Sequence, residues 1–344
     1  MTLLGRALKY GYSNTRVKGM EAKLIDAGTM QRISKAKDVR EIIAILYNTD
    51  YKDNLIEFGG LNTKVTLLDF AISKNLAEHV EKLVKITPKS DQEFMRVFVS
   101  KWDFYNAKLA IEAKTRGLTY DSIASYLIDQ GPFSASTIKR AMGKGTDALF
   151  EELENASKEY RPIIKRAKDA YEKTRSGISA VNEIDKGEYL LLSEAVEKMQ
   201  NKHKNAAKIA QLSIDMQNVI TMVRAKIAGK TFAEAAQELI KNGTIALQQL
   251  EKAYKAKDLQ GMLDMLNGEM LGIKYEGESL TKFEISLRKN LLAKAVKLLR
   301  NSVLSFATII AYAYMKELDV ISLRLAIKSK QYGLGEEELE KLIG

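Results

Sequence analysis

Three stretches of the chain place apolar residues on one face at helical spacing: Phe104, Ala107, Ala110 and Ile111; Met216, Val219, Met222 and Val223; Val320, Leu323, Ala326 and Ile327. Each set falls at i, i+3, i+6 and i+7, the stripe an amphipathic helix buries. Residues 64–86, 187–212 and 280–311 carry further long amphipathic patterns, as Leu192, Ala195, Val196 and Met199 illustrate. Three prolines and 21 glycines are few for 344 residues, and Ala, Leu, Ile and charged residues are plentiful. Long helices follow, and the expected fold class is all-α.

The three stripes belong to a repeat. Asp103-Phe-Tyr-Asn106, continuing to Ala113-Lys114 and Gly117, returns 112 positions later as Asp215-Met-Gln-Asn218, Ala225-Lys226 and Gly229. A third copy, Asp319-Val-Ile-Ser322 with Lys330 and Gly333, lies 216 positions after the first, with Ser in place of Asn. An Asp can cap the first turn of a helix, and a Gly after thirteen intervening residues can take the left-handed position past its end. Each copy therefore predicts a bounded helix. A second cap candidate follows each Gly: Thr119 with Ser122, Thr231 with Glu234 at capping-box spacing, and Gly335 with Glu338. The expectation is helix, tight turn, helix in all three. A looser fourth copy opens the chain at Tyr12-Ser-Asn14-Thr-Arg16, before Val17, Met20 and Leu24. Units of about 100 residues match ordinary domain size, with cuts at 1–102, 103–214 and 215–344. No Gly/Ser-rich or Pro-rich linker separates them, so they are expected to pack together. Residues 50–62, with Gly59-Gly60, and 268–277 read as surface loops.

Composition narrows the chemistry. No cysteine is present, which excludes disulfides, thiolate metal sites and a thiol nucleophile and fits a reducing, cytoplasmic compartment. The longest uncharged stretch, 302–315, is too short for a bilayer-crossing helix and reads as a core helix. The first 20 residues mix Arg6, Lys9, Arg16 and Lys18 with tyrosines and lack the apolar segment of a secretory signal.

Candidate catalytic features reduce to structural ones. Gly229-Lys230-Thr231 imitates the end of a phosphate-binding loop, but Arg224 stands where the first Gly is needed and a helix precedes it. Gly143-Lys-Gly145-Thr146 reads as a loop. His79 and His203 lie 124 positions apart near apolar stripes, without a second ligand at helical spacing, so a packed histidine is expected. Acidic residues Glu151, Glu152 and Glu154, and 336–338, sit where helices start and complement the helix dipole. A catalytic role would explain the recurring Asp alone, whereas a cap also explains the Gly at fixed distance. No catalytic, cofactor or metal residue is assigned; Asp103, Asn106, Gly117, Asp215, Asn218, Gly229, Asp319, Ser322 and Gly333 are expected to be repeat and helix-cap positions.

The formal net charge is +10, which favours acidic partners without choosing among them. The densest basic run is Lys158, Arg161, Lys165, Arg166, Lys168, Lys173 and Arg175, flanked by Tyr160 and Tyr171. A nucleic-acid surface can look like this, but Glu159, Asp169 and Glu172 punctuate it, as on the solvated face of a helix.

Three helical copies, an amino terminus bearing Tyr10, Tyr12 and Arg16, and the lack of catalytic residues together resemble the C subunit of archaeal A-type ATP synthases, similar to the d subunit of eukaryotic vacuolar ATPases. The resemblance spans the whole chain. It implies three similar helical domains arranged as a funnel with pseudo-threefold symmetry, on the cytoplasmic face of the cell membrane. There the funnel would join the membrane proteolipid ring to the central shaft of the rotor, serving proton or sodium transport linked to ATP synthesis or hydrolysis. It also implies no active site and no cofactor. A helical-repeat scaffold binding nucleic acid through its basic surface is the alternative.

Overall fold

The computed structural model describes residues 2–62, 64–266, 280–300 and 302–333. Among these residues the regular elements are sixteen α-helices and four 3-10 turns, so the fold is all-α. Helices α1 (Leu3–Glu21), α2 (Ala27–Lys35), α3 (Val39–Leu46) and α4 (Lys52–Glu57) lead into the long α5 (Val65–Ile86) and α6 (Gln92–Thr115). The short α7 (Ala135–Met142) and α8 (Thr146–Ala156) follow, then α9 (Arg161–Thr174), α10 (Gly177–Met199) and α11 (Lys204–Ile227). Last come α12 (Phe232–Ala236), α13 (Leu247–Tyr254), α14 (Leu259–Leu266), α15 (Leu280–Arg300) and α16 (Phe306–Tyr332). The chain forms two compact units, one of Met1–Glu188 with Met315–Gly344 and one of Tyr189–Tyr314, and the divisions fall within α10 and α16.

Local chemistry sets most helix ends. Asp26 and Asp38 accept from the Thr29 and Glu41 N–H groups at 2.6 and 2.9 Å, capping α2 and α3. Thr231 and Glu234 close a capping box on α12. Past α6 and α11, Gly117 and Gly229 take φ of +73° and +69°. That left-handed turn lets the next N–H, on Leu118 or Lys230, reach back to the Ala113 or Ala225 carbonyl at 2.9 Å. Gly333 takes φ +68° after α16.

All twelve residues of the three stripes are buried. Within the first unit, Phe104 packs against Phe133 and Tyr160, with ring centroids 6.4 and 4.8 Å away. In the second, Met216, Val219, Met222 and Val223 of α11 form a core with Leu250 of α13, Leu263 of α14 and Phe283 and Leu287 of α15. Fully burying one such side chain contributes about 1.5–3 kcal/mol, so these faces fix how the short helices lie on the long ones.

The structure departs from the sequence pattern in several places. Glu151, Glu152 and Glu154 lie in the middle and last turns of α8 and not at its start, where Asp147 stands. The pattern over 187–212 is broken between Met199 and Lys204, because Asn201, Lys202 and His203 offer nothing apolar to continue the stripe. The pattern over 280–311 is broken between α15 and α16, where Leu304 takes φ +50°. Residues 50–62 are partly helical, since Tyr51 and Leu55 are buried and hold α4 in place. After Gly117, Thr119 and Ser122 border two 3-10 turns instead of an α-helix. The expectations for 268–277, for Gly335 with Glu338 and for 336–338 lie outside the described residues.

Candidate functional site

The recurring Asp residues do not start helices. Asp103 and Asp215 each stand eleven residues inside α6 and α11, and Asp319 thirteen residues inside α16, all three buried. At mid-helix the backbone N–H groups are already bonded within the helix, so the carboxylates serve a different segment. Asp103 accepts from the Phe133 N–H at 3.3 Å. Asp215 accepts from the N–H groups of Thr244 and Ile245, at 2.8 and 3.0 Å, and from the Thr244 hydroxyl. Asp319 accepts from the Ile25 N–H at 3.1 Å. The receiving positions correspond: Phe133, Ile245 and Ile25 each stand two residues before the first residue of α7, α13 or α2. One long helix thus fixes where a short one begins.

The Asn one turn later reinforces this clip. The Asn106 amide donates to the carbonyls of Ile128 and Phe133 at 2.7 and 2.9 Å, while its oxygen accepts from the Ile128 N–H at 3.0 Å. Asn218 repeats the pairing with Ile240, donating at 2.9 Å and accepting at 2.8 Å. A side-chain amide here does for a buried loop what a neighbouring strand would do, satisfying backbone groups that could not be buried bare. Ser322 is buried at the third position. Lys114 and Lys226 complete the pattern, donating to the Met142 carbonyl and to the Tyr254 and Ala256 carbonyls at 2.8 to 2.9 Å. These carbonyls lie at the C-terminal ends of α7 and α13, where a cation is favoured.

Two glycines make room for the carboxylates. A Cβ on Gly131 or Gly243 would lie 2.2 or 2.1 Å from an oxygen of Asp103 or Asp215. Gly131 also takes φ +64°. Ile128 and Ile240, Gly131 and Gly243, and Phe133 and Ile245 all keep the 112-position displacement of the repeat. Following that displacement past Gly117 is the signal in the sequence that points to the clip.

Burial pushes the Asp103 carboxyl up to about 7, against the Phe133 N–H that favours its charge. It pushes Asp319 to about 6 and raises Asp215 as well. Raised carboxyls of this kind suit acid–base chemistry, and Asp103 borders a cavity of about 980 Å³ with Glu159 and Tyr160. The equivalent geometry around Asp215, however, assigns the carboxylate to backbone donors in both copies, which is a structural task.

Asp319 has an ionic neighbourhood of its own. Lys316 is 1% exposed, its ammonium 4.2 Å from the centre of the Tyr51 ring, and burial brings it down to about 8. His79 is buried in α5 and bonds Asp50 through Nε2 at 2.7 Å; burial lowers its pKa. Burial works against the Asp50 charge, yet the His79 bond and the cations Lys316 and Lys23 hold its carboxyl below the usual range. His203 instead precedes α11 and packs on Phe306, with ring centroids 4.9 Å apart. Among the described residues no group of His, Asp and Glu is arranged to hold a metal ion, and no helix is long and apolar enough to cross a membrane. The basic run in and around α9 is exposed except for half-buried Lys168, and Glu159, Asp169 and Glu172 are exposed beside it.

Residues 13–342 match the ATP synthase (C/AC39) subunit family. The chain belongs to that family. It is 26% identical to the A-type ATP synthase C subunit of Thermococcus kodakarensis, over 99% of this chain and 92% of that protein. The A-type ATP synthase C subunit of Methanocaldococcus jannaschii is also 26% identical, over 97% of this chain and 86% of its own length. That of Methanosarcina mazei is 24% identical, over 95% and 91%.

Proposed function

We propose that the chain is the non-catalytic central-stalk subunit of a rotary A/V-type ATPase. In this reading it couples the rotor shaft to the membrane proteolipid ring, as a peripheral protein on the cytoplasmic face, and so links proton or sodium transport to ATP synthesis or hydrolysis. Family membership gives the complex; the recurring clip supports the coupling role. A part that transmits torque must resist shear between its helices, and a buried, bonded carboxylate in each copy ties a short helix to a long one by more than apolar packing. Three repeat units, 1–102, 103–214 and 215–344, arranged as a funnel with pseudo-threefold symmetry, suit a socket for a shaft. Their cuts at 103 and 215 fall inside α6 and α11. Affinity for shaft and ring would come from many dispersed contacts rather than one pocket.

The test is co-purification from the native cell with the shaft and ring proteins. Joint recovery supports the proposal. A chain that stays out of that complex and instead binds RNA in a salt-sensitive manner would replace it with the nucleic-acid scaffold.

A further inference from the structure

Helix α1 turns an apolar stripe to solvent. Its buried side consists of Tyr10, Ser13, Asn14 and Val17, and at 100° per residue Leu4, Leu8 and Tyr12 fall on the opposite side. Leu4 is 71% exposed, Leu8 81% and Tyr12 70%, with Leu3 equally open at the start of the helix. Elsewhere among the described residues exposed large apolar residues occur singly or in pairs along a helix; here four share its first three turns. The helix is also well held. The Tyr10 hydroxyl and the Lys9 ammonium both donate to buried Asp91, at 2.6 and 2.9 Å, and the Ser13 hydroxyl donates to the Ile86 carbonyl at 2.5 Å.

Charge identifies what covers the stripe. Helix α1 carries four cations, Arg6, Lys9, Arg16 and Lys18, against one carboxylate, Glu21 in its last turn, which pairs with the still largely exposed Lys18. On the helical wheel Lys9 and Arg16 border the stripe on one side and Lys18 on the other, and Arg16 and Lys18 are exposed. Leucines between cationic margins, with a tyrosine at the edge, suit the boundary between anionic headgroups and acyl chains. A protein groove of ordinary composition would call for no such margin on both sides. We propose that α1 lies against an anionic lipid surface, with Leu4, Leu8 and Tyr12 inserted and the exposed cations Arg16 and Lys18 on headgroup phosphates. This goes beyond the rotor reading and stands on α1 alone.

Flotation of the full-length chain with vesicles tests it, using two parts phosphatidylcholine to one part phosphatidylglycerol against phosphatidylcholine alone. Binding is expected to the anionic vesicles only and to weaken as salt is raised. Replacing Leu4 and Leu8 together by Ser is expected to lower partitioning at least about tenfold, with an unchanged melting temperature because both side chains are exposed. Charge reversal of Arg16 and Lys18 to Glu provides a second variant and should abolish the preference for anionic vesicles. Three outcomes would overturn the proposal: no flotation, flotation undiminished in the Leu4/Leu8 variant, or a defect of that variant confined to co-purification with proteins of the complex. A wild-type chain that joins the rotary complex but ignores vesicles defeats this inference and leaves the rotor reading intact. One that floats as expected but stays out of the complex does the reverse.

Discussion

The Ile25 N–H donates to the Asp319 carboxylate at 3.1 Å, although 294 positions separate the two residues. In the other two copies the corresponding donor lies 30 positions after its Asp. The third long helix therefore takes its short partner helix from the opposite end of the chain, and α2 completes the copy that α16 begins.

Replacing Asp319 by Ala leaves a backbone N–H without its acceptor in a half-buried place. The expected cost is about 1–3 kcal/mol. Hydrogen exchange should localise the damage: amides at the start of α2 lose protection, while those opening α7 keep theirs. Equal loss at both would mean that Asp319 acts through general packing.

Asp215→Ala should cost more than a helix cap is worth. A cap contributes about 1 kcal/mol, but Asp215 is fully buried and accepts three bonds, from the Thr244 N–H and hydroxyl and from the Ile245 N–H. Urea unfolding should show a loss of about 3 kcal/mol, with the segment entering α13 exchanging first and the start of α11 unaffected. Fraying of α11 from Lys204 would restore the cap interpretation.

How much of the fold is readable in the sequence depends on range. The stripes, the Thr231–Glu234 capping box and the glycines after α6 and α11 are governed by residues within two turns of each other, and a sequence displays those relations directly. An Asp at mid-helix and an Asp at a cap look alike in sequence. What separates them is that α6 begins eleven residues upstream, and that the partners of Asp103 and Asn106 lie 22 to 30 residues away in a loop without helical periodicity. The ionic neighbourhood of Lys316 is hidden for the same reason, since Asp50 and Tyr51 and His79 of α5 lie far along the chain from Lys316 and Asp319 of α16. The family is accessible because the same short pattern recurs in order; its docking surfaces are not encoded in that pattern.

Stability should fall as pH rises through neutrality, in part because of Asp103. Burial raises its folded pKa to about 7, far above that of the unfolded chain. Between those two values the folded state holds a proton that the unfolded state has released, so raising pH favours unfolding until the group is ionised in both states. The contribution is fully present below the unfolded value and lost as pH passes about 7. Asp103→Asn removes the titration. Comparing urea midpoints at pH values of about 5 and about 8, on either side of neutrality, the variant should change less than the parent, and equal changes would refute a raised Asp103.

Gly243→Ala examines the clip from the loop side. A Cβ there would stand 2.1 Å from an Asp215 carboxylate oxygen and 3.0 Å from its carbon, so either the carboxylate or the loop must move. Moving the carboxylate stretches its bonds to Thr244 and Ile245; moving the loop displaces the entrance of α13. Either route should cost about 2 kcal/mol, within the range for overpacked sites. The cost should largely vanish in an Asp215→Ala background, where the space is empty. A double-mutant cycle on thermal or urea unfolding measures this coupling. Additive effects would show that Gly243 is required by its backbone and not by the buried carboxylate beside it.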